Sequence, residues 1–284
     1  GQWLHLRNLE RLQIDRGRFP AYGPELRAAM IAEAVLFFGD VVRQGRSALT
    51  LIDSDHTFVN GPLATLYGFA DLAGIGPEFR RVELPEGSPR GGVLTMGAVL
   101  AVTSNPTRTS PVKRGLWVLD QILGTPPPPP PPETPPLEQA QAALPENPTP
   151  RDLLSAHLID PNCAVCHVRM DPIGLALENF DAIGAWRDAD ESGPIDASGV
   201  LPEGVRFVGP EELKGVLLGR SDRFLANLTR ELLTYALGRG VEPFDRPTVD
   251  RIVRRAHERG DSVAALIEGI VLSDAFRTCR GVRR

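Results

Sequence analysis

The sequence predicts a mainly α-helical fold, and three observations predict it. Apolar residues recur at intervals of three and four through most of the chain, in stretches that open on Pro or Ser and close on Gly. A proline tract, unbroken from Pro126 to Pro132, divides the helical regions. Beyond the tract stands Cys163-Ala164-Val165-Cys166-His167, in helical surroundings with no β-α-β pattern.

Residues 1–124 read as a helical N-terminal segment. Leu26, Met30, Ala34, Phe37, Phe38 and Val41 place a helix over Gly23–Gly45, with Pro24 suited to its first turn and Gly45 to its end. Phe58–Tyr67 reads as a second, shorter helix, Arg80–Leu84 as a short strand, and Val93–Val102, opened by Gly91-Gly92, as a further helix. Residues 125–149 form a Pro-rich linker or strap. Its proline run, followed by Pro135 and Pro136, can be neither helix nor sheet and takes an extended polyproline II form. A stiff spacer or surface strap accounts for it; a docking site for a proline-binding module is the sharper alternative.

Residues 150–205 hold the cysteine motif, and residues 206–284 form a helical C-terminal segment. In the latter, Pro210 starts one helix. Ser221 is expected to cap the next, which carries Phe224, Leu225, Leu228, Leu232 and Leu233 on one face and stops at Gly238 and Gly240. Pro247 opens another, and Ser262 caps the last, with Leu266, Ile267, Ile270 and Val271.

Composition narrows the function classes. With 284 residues, 31 basic and 36 acidic, the net charge is −5, which gives no reason to expect nucleic acid or an acidic membrane surface as partner. No run of about 18 apolar residues exists, so no membrane-spanning helix is expected. The start, Gly1 to Arg7, reads like the middle of a helix and not like a signal peptide, so a processed piece of something longer is expected. Three cysteines are too few for a disulfide framework; Cys279, outside the motif, reads as an ordinary thiol.

Cys-x-x-Cys-His is the attachment pattern of a c-type haem. Two thiols add across the two haem vinyl groups, the short loop matches their separation, and the next residue stands beneath the iron. Cys163 and Cys166 are therefore expected to hold one covalent haem c, with His167 as proximal ligand. A zinc site would need a second ligand pair at recognisable spacing, and a thioredoxin-type pair would need a β-α-β setting. After the motif, Ile173, Leu175, Leu177 and Phe180 can pack on a porphyrin, or simply in a core. The Pro172 carbonyl is the expected acceptor for the second His167 nitrogen. Trp186 and Arg187 are candidates for a haem propionate. The acidic turn of Asp188, Asp190 and Glu191 reads as solvated, without calcium-loop spacing.

The sixth iron ligand is open among Met30, Met96, Met170, His5, His56, His157 and His257. Met96 is preferred, because its small neighbours Gly91, Gly92, Gly97 and Ala98 would admit a flat macrocycle; a core methionine is the alternative, and His56 the second choice.

Four stretches carry a family resemblance: Asp55-His56-Thr57-Phe58-Val59-Asn60, Thr103 to Gly115 with the proline tract, Cys163 to Trp186, and Leu233 to Gly240. Together they resemble the C-terminal part of the planctomycete-type cytochrome c-associated proteins, built from domains of unknown function. The resemblance implies a periplasmic or otherwise exported c-type haem protein. Relatives often carry a second cytochrome-like module upstream, and a potential metal ligand at the position of Met96. Three functions follow as expectations. One is electron transfer with redox partner proteins, within a larger protein or complex. Another is a peroxidase- or oxidase-type haem enzyme with an open distal site, served by His56 and Arg108. The last is a structural or assembly subunit with an accessory haem.

Overall fold

The computed structural model describes residues 1–72, 74–129, 149–159 and 161–278. The chain is mainly helical with a few short strands. Helix α1 (Pro24–Arg43) takes the predicted place, with Pro24 in its first turn and Leu26, Met30, Ala34, Phe37 and Val41 buried along one stripe. The stretch expected as one helix over Phe58–Tyr67 is instead strand β1 (His56–Val59) followed by helix α2 (Gly61–Tyr67). Asn60 divides them: its side chain accepts from the Leu63 N–H as a helix cap, while Thr57, Phe58 and Val59 suit a strand. β1 pairs antiparallel with β2 (Arg80–Glu83), His56 opposite Glu83.

The apolar run after Gly92 is broken as well. A 3-10 turn over Val93–Thr95 gives way to extended backbone at Met96, and helix α3 spans only Gly97–Val102. Helix α4 (Pro111–Trp117) is capped by Ser110 and continues as a π-helical turn, Val118–Ile122. Of the proline tract, Pro126 to Pro129 carry no helix or strand; residues 130–148, with the rest of the expected strap, lie outside the described residues, as does Cys279.

Helices α5 (Pro150–His157) and α6 (Pro161–Leu175) follow. Two small hairpins come next, β3 (Ala189–Asp190) with β4 (Gly193–Pro194), and β5 (Ser198–Val200) with β6 (Arg206–Val208). Their strands of two and three residues are too short to show period-2 alternation, so nothing in the sequence pattern marks them. The C-terminal segment holds α7 (Gly209–Leu218), α8 (Ser221–Leu237), α9 (Arg246–His257), α10 (Val263–Val271) and α11 (Asp274–Arg277). Ser262 caps α10 by accepting from Ala265 N–H; Ser221, expected as a cap, is already the first helical residue of α8, behind Arg220.

One buried apolar cluster runs from Leu4 to Ile270 and joins the N-terminal elements to α6 and to helices α7 to α10. Polar ties cross it: the Trp3 indole donates to the Gln121 carbonyl at 3.0 Å, and buried Lys214 on α7 pairs with Asp53 at 2.6 Å. No helix among the described residues is long and apolar enough to cross a membrane.

Candidate haem-binding site

The motif lies on α6, the helix most closely packed against α4. Two glycines set that closeness. A Cβ on Gly115 would collide with the Met170 carbonyl, and one on Gly174 with the Pro111 carbonyl, so the backbones cross in direct contact. Pro161 sits at the helix start, where its missing N–H costs nothing. Pro172 sits inside the last turns, leaves one intrahelical bond unmade, and α6 stops three residues later.

Cys163, Cys166 and His167 stand at i, i+3 and i+4 and therefore share one face of α6. Both thiols are free and half-buried. The His167 side chain is 15% exposed, and its Nδ1 lies 2.9 and 3.0 Å from the two carboxylate oxygens of Asp171 one turn on. Asp171 is buried. Leu158, Ile159, Val165 and Val168 are all exposed in and beside the motif, with Val165 and Val168 on the face of α6 away from the thiols.

These features fit a haem. Two unpaired thiols one turn apart would supply the attachment chemistry, and the imidazole between them and Asp171 would supply one axial nitrogen. They fit a protein-only metal site less well: among the described residues, no three His, Cys, Asp or Glu side chains are gathered as metal ligands would be.

The other expected site residues fall into place differently. The His167 ring is held by Asp171, while the Pro172 carbonyl, the acceptor expected from sequence, takes the Ala176 N–H at 3.2 Å. Ile173, Leu177 and Phe180 belong to the common core, and Leu175 is buried too. Trp186 rests edge-on against Phe180 with ring centroids 5.1 Å apart and donates to Asp188 at 3.0 Å. Arg187 donates to the Glu178 backbone carbonyl at 3.1 Å and to its carboxylate at 3.3 Å.

Met96 is buried and lines a hollow of about 10 Å³ with Glu33, Thr57, Tyr67, Arg90 and Thr95; no residue of α6 is among these neighbours. Met30 packs against Gly97, and Met170 against Gly115. His56 is fully buried, with Nδ1 2.8 Å from Asp55 and Nε2 3.2 Å from Asp40, so both ring nitrogens are engaged. His257 contacts Asp261 at 2.7 Å. The side chain of His157, at the end of α5, lies outside the described residues. Arg108 is exposed.

Two groups that sequence reasoning missed hold the region together. Arg114 on α4 is fully buried and donates to the carbonyls of Leu177, Phe180 and Asp181 at 2.6, 2.8 and 2.7 Å, clamping the loop after α6. It also meets Glu178 at 3.3 Å; burial pushes its pKa down to about 10. Glu33 on α1 is buried, accepts from Thr57 at 2.7 Å and Tyr67 at 2.6 Å, and has its carboxyl pushed up to about 7 by desolvation. Arg90 stacks 3.8 Å over the Tyr67 ring and donates to the Gly184 carbonyl at 2.8 Å, tying this cluster to the segment that carries the motif. A charged residue inside an apolar pattern was the available signal at Glu33; at Arg114, only its place among apolar helical residues.

Three family models match consecutive stretches of the chain, each described as a protein of unknown function: DUF1592 over residues 1–69, DUF1588 over 90–190 and DUF1585 over 203–276. No curated protein and no solved structure matches it. The DUF1588 match contains both the Arg114 clamp and the Cys163–His167 motif. These three are the domains of the planctomycete-type cytochrome c-associated families, and the chain is similar to those families through all three, in this order.

Proposed function

We propose that the chain is a c-type cytochrome that transfers electrons through one haem c, attached at Cys163 and Cys166 and ligated by His167, as part of a larger exported redox protein or complex. The observation that carries this reading is the shared face of α6, where two free thiols and an imidazole oriented by a buried carboxylate stand within one helical turn. The similarity to cytochrome c-associated domains supports it.

Bound haem supplies a one-electron centre. The chain's own residues do the rest. Cys163 and Cys166 anchor the macrocycle, and Asp171 orients His167. Arg114 fixes the loop that follows α6, so the helix has a defined end. Met96 as sixth ligand belongs to this proposal, and it would have to leave the hollow it shares with Glu33 and Arg90.

Production in a host with c-type maturation machinery tests the reading. The parent is expected to keep haem through denaturing electrophoresis and to show a reversible reduced-minus-oxidised spectrum. The Cys163→Ser, Cys166→Ser double variant is expected to lose haem on denaturation. Equal haem staining of parent and double variant contradicts the proposal.

A further inference from the structure

We propose that Asp171 is the positioning residue of the iron ligand: its buried carboxylate accepts the Nδ1–H of His167 and holds a negative charge against the ring, which lowers the reduction potential of the haem. This rests on the reading of Cys163, Cys166 and His167 as a haem attachment.

A histidine that ligates through one ring nitrogen is oriented and tuned through the other. A carbonyl acceptor brings a dipole; a carboxylate brings a full charge and a stronger hydrogen bond. Here both Asp171 oxygens lie within 3.0 Å of Nδ1. The pair is spaced i, i+4 on one helix, so its separation is set by helical pitch and not by a loop. Asp171 is only 3% exposed, so water screens its charge weakly. The competing acceptor one residue on, the Pro172 carbonyl, is occupied by Ala176 N–H.

The sign follows from charge. Oxidised iron carries one more positive charge than reduced iron, and a fixed negative charge coupled through the ligand stabilises the oxidised form more. The protein with Asp171 therefore holds its electron less tightly than one with a neutral residue there.

The test is an equilibrium redox titration, followed by absorbance, of the haem-loaded full chain as parent, Asp171→Asn and Asp171→Glu. Asparagine is isosteric and still accepts from Nδ1–H, but carries no charge. Asp171→Asn is expected to raise the reduced-to-oxidised ratio at a given applied potential at least tenfold, which for a one-electron couple is about 59 mV more positive. Asp171→Glu keeps the charge and is expected to stay within threefold of the parent. Should the Asn variant not fold, Asp171→Ser, also uncharged, carries the same expectation. The assignment is overturned if the uncharged variants titrate with the parent or shift the other way. It is overturned equally if Asp171→Glu shifts as far as they do, or if folded uncharged variants merely lose haem. A parent without covalent haem on a denaturing gel sinks the haem reading itself; a haem-loaded parent with an unmoved Asn variant sinks the Asp171 assignment alone.

Discussion

The cysteine motif was legible because its chemistry is local: five consecutive residues contain both thiols and the imidazole, and helical spacing alone puts them on one face. The partner of His167 is legible as well, since His167 and Asp171 are i, i+4 on a helix; sequence alone points to the Pro172 carbonyl because carbonyls commonly serve in that role. Arg114 was not legible as a clamp. Its acceptors lie more than sixty residues along the chain, at Leu177, Phe180 and Asp181, and no local pattern announces them. Replacing Arg114 by Met would strip these buried carbonyls and the Glu178 carboxylate of their donor. The expected loss is about 3 to 5 kcal/mol, as for breaking a buried ion pair from one side. Chemical denaturation of the two proteins checks it; a loss below about 1 kcal/mol would mean that the loop finds other donors.

Between elements, the α4–α6 crossing is the contact that matters most for the site. Gly115 and Gly174 each allow a backbone carbonyl of the other helix to sit where a Cβ would be. Gly115→Ala is expected to destabilise by about 1 to 3 kcal/mol, the usual range for overpacking a closed interface. Thermal unfolding measures this, and an unchanged midpoint would show that the helices can separate without loss. A milder change is expected at the start of α10: Ser262→Ala removes the acceptor for Ala265 N–H and should cost about 1 kcal/mol. The elements themselves were readable where apolar spacing ran long, as in α1, α8 and α9. Apolar spacing misleads where one or two residues decide. Asn60 turns an apparent helix into strand plus helix, and extended backbone at Met96 splits another. The two hairpins after α6 rest on strands too short to leave any pattern.

Across the whole molecule, one core spans segments that the sequence presents as separate stretches. The cluster of Glu33, Tyr67 and Arg90 sits in that core and reaches the motif-bearing segment through Gly184. It makes stability depend on pH. Burial raises the Glu33 carboxyl from 4.5 to about 7, so the folded chain holds a proton that the unfolded chain has released. The Glu33 contribution is therefore most favourable below pH 4.5 and is lost as pH rises through about 7. The difference is on the order of 3 kcal/mol. Glu33→Gln, which mimics the protonated form, is expected to flatten the fall in stability between these limits in denaturation curves recorded across pH. An identical slope in parent and variant would assign the dependence to other groups.

The most direct measurement is peptide mass mapping of the purified, matured chain. The peptide containing Cys163 to His167 is expected to carry the added mass of one haem, joined at both cysteines and stable to denaturation. Recovery of that peptide at its unmodified mass, with both thiols open to alkylation, would contradict it.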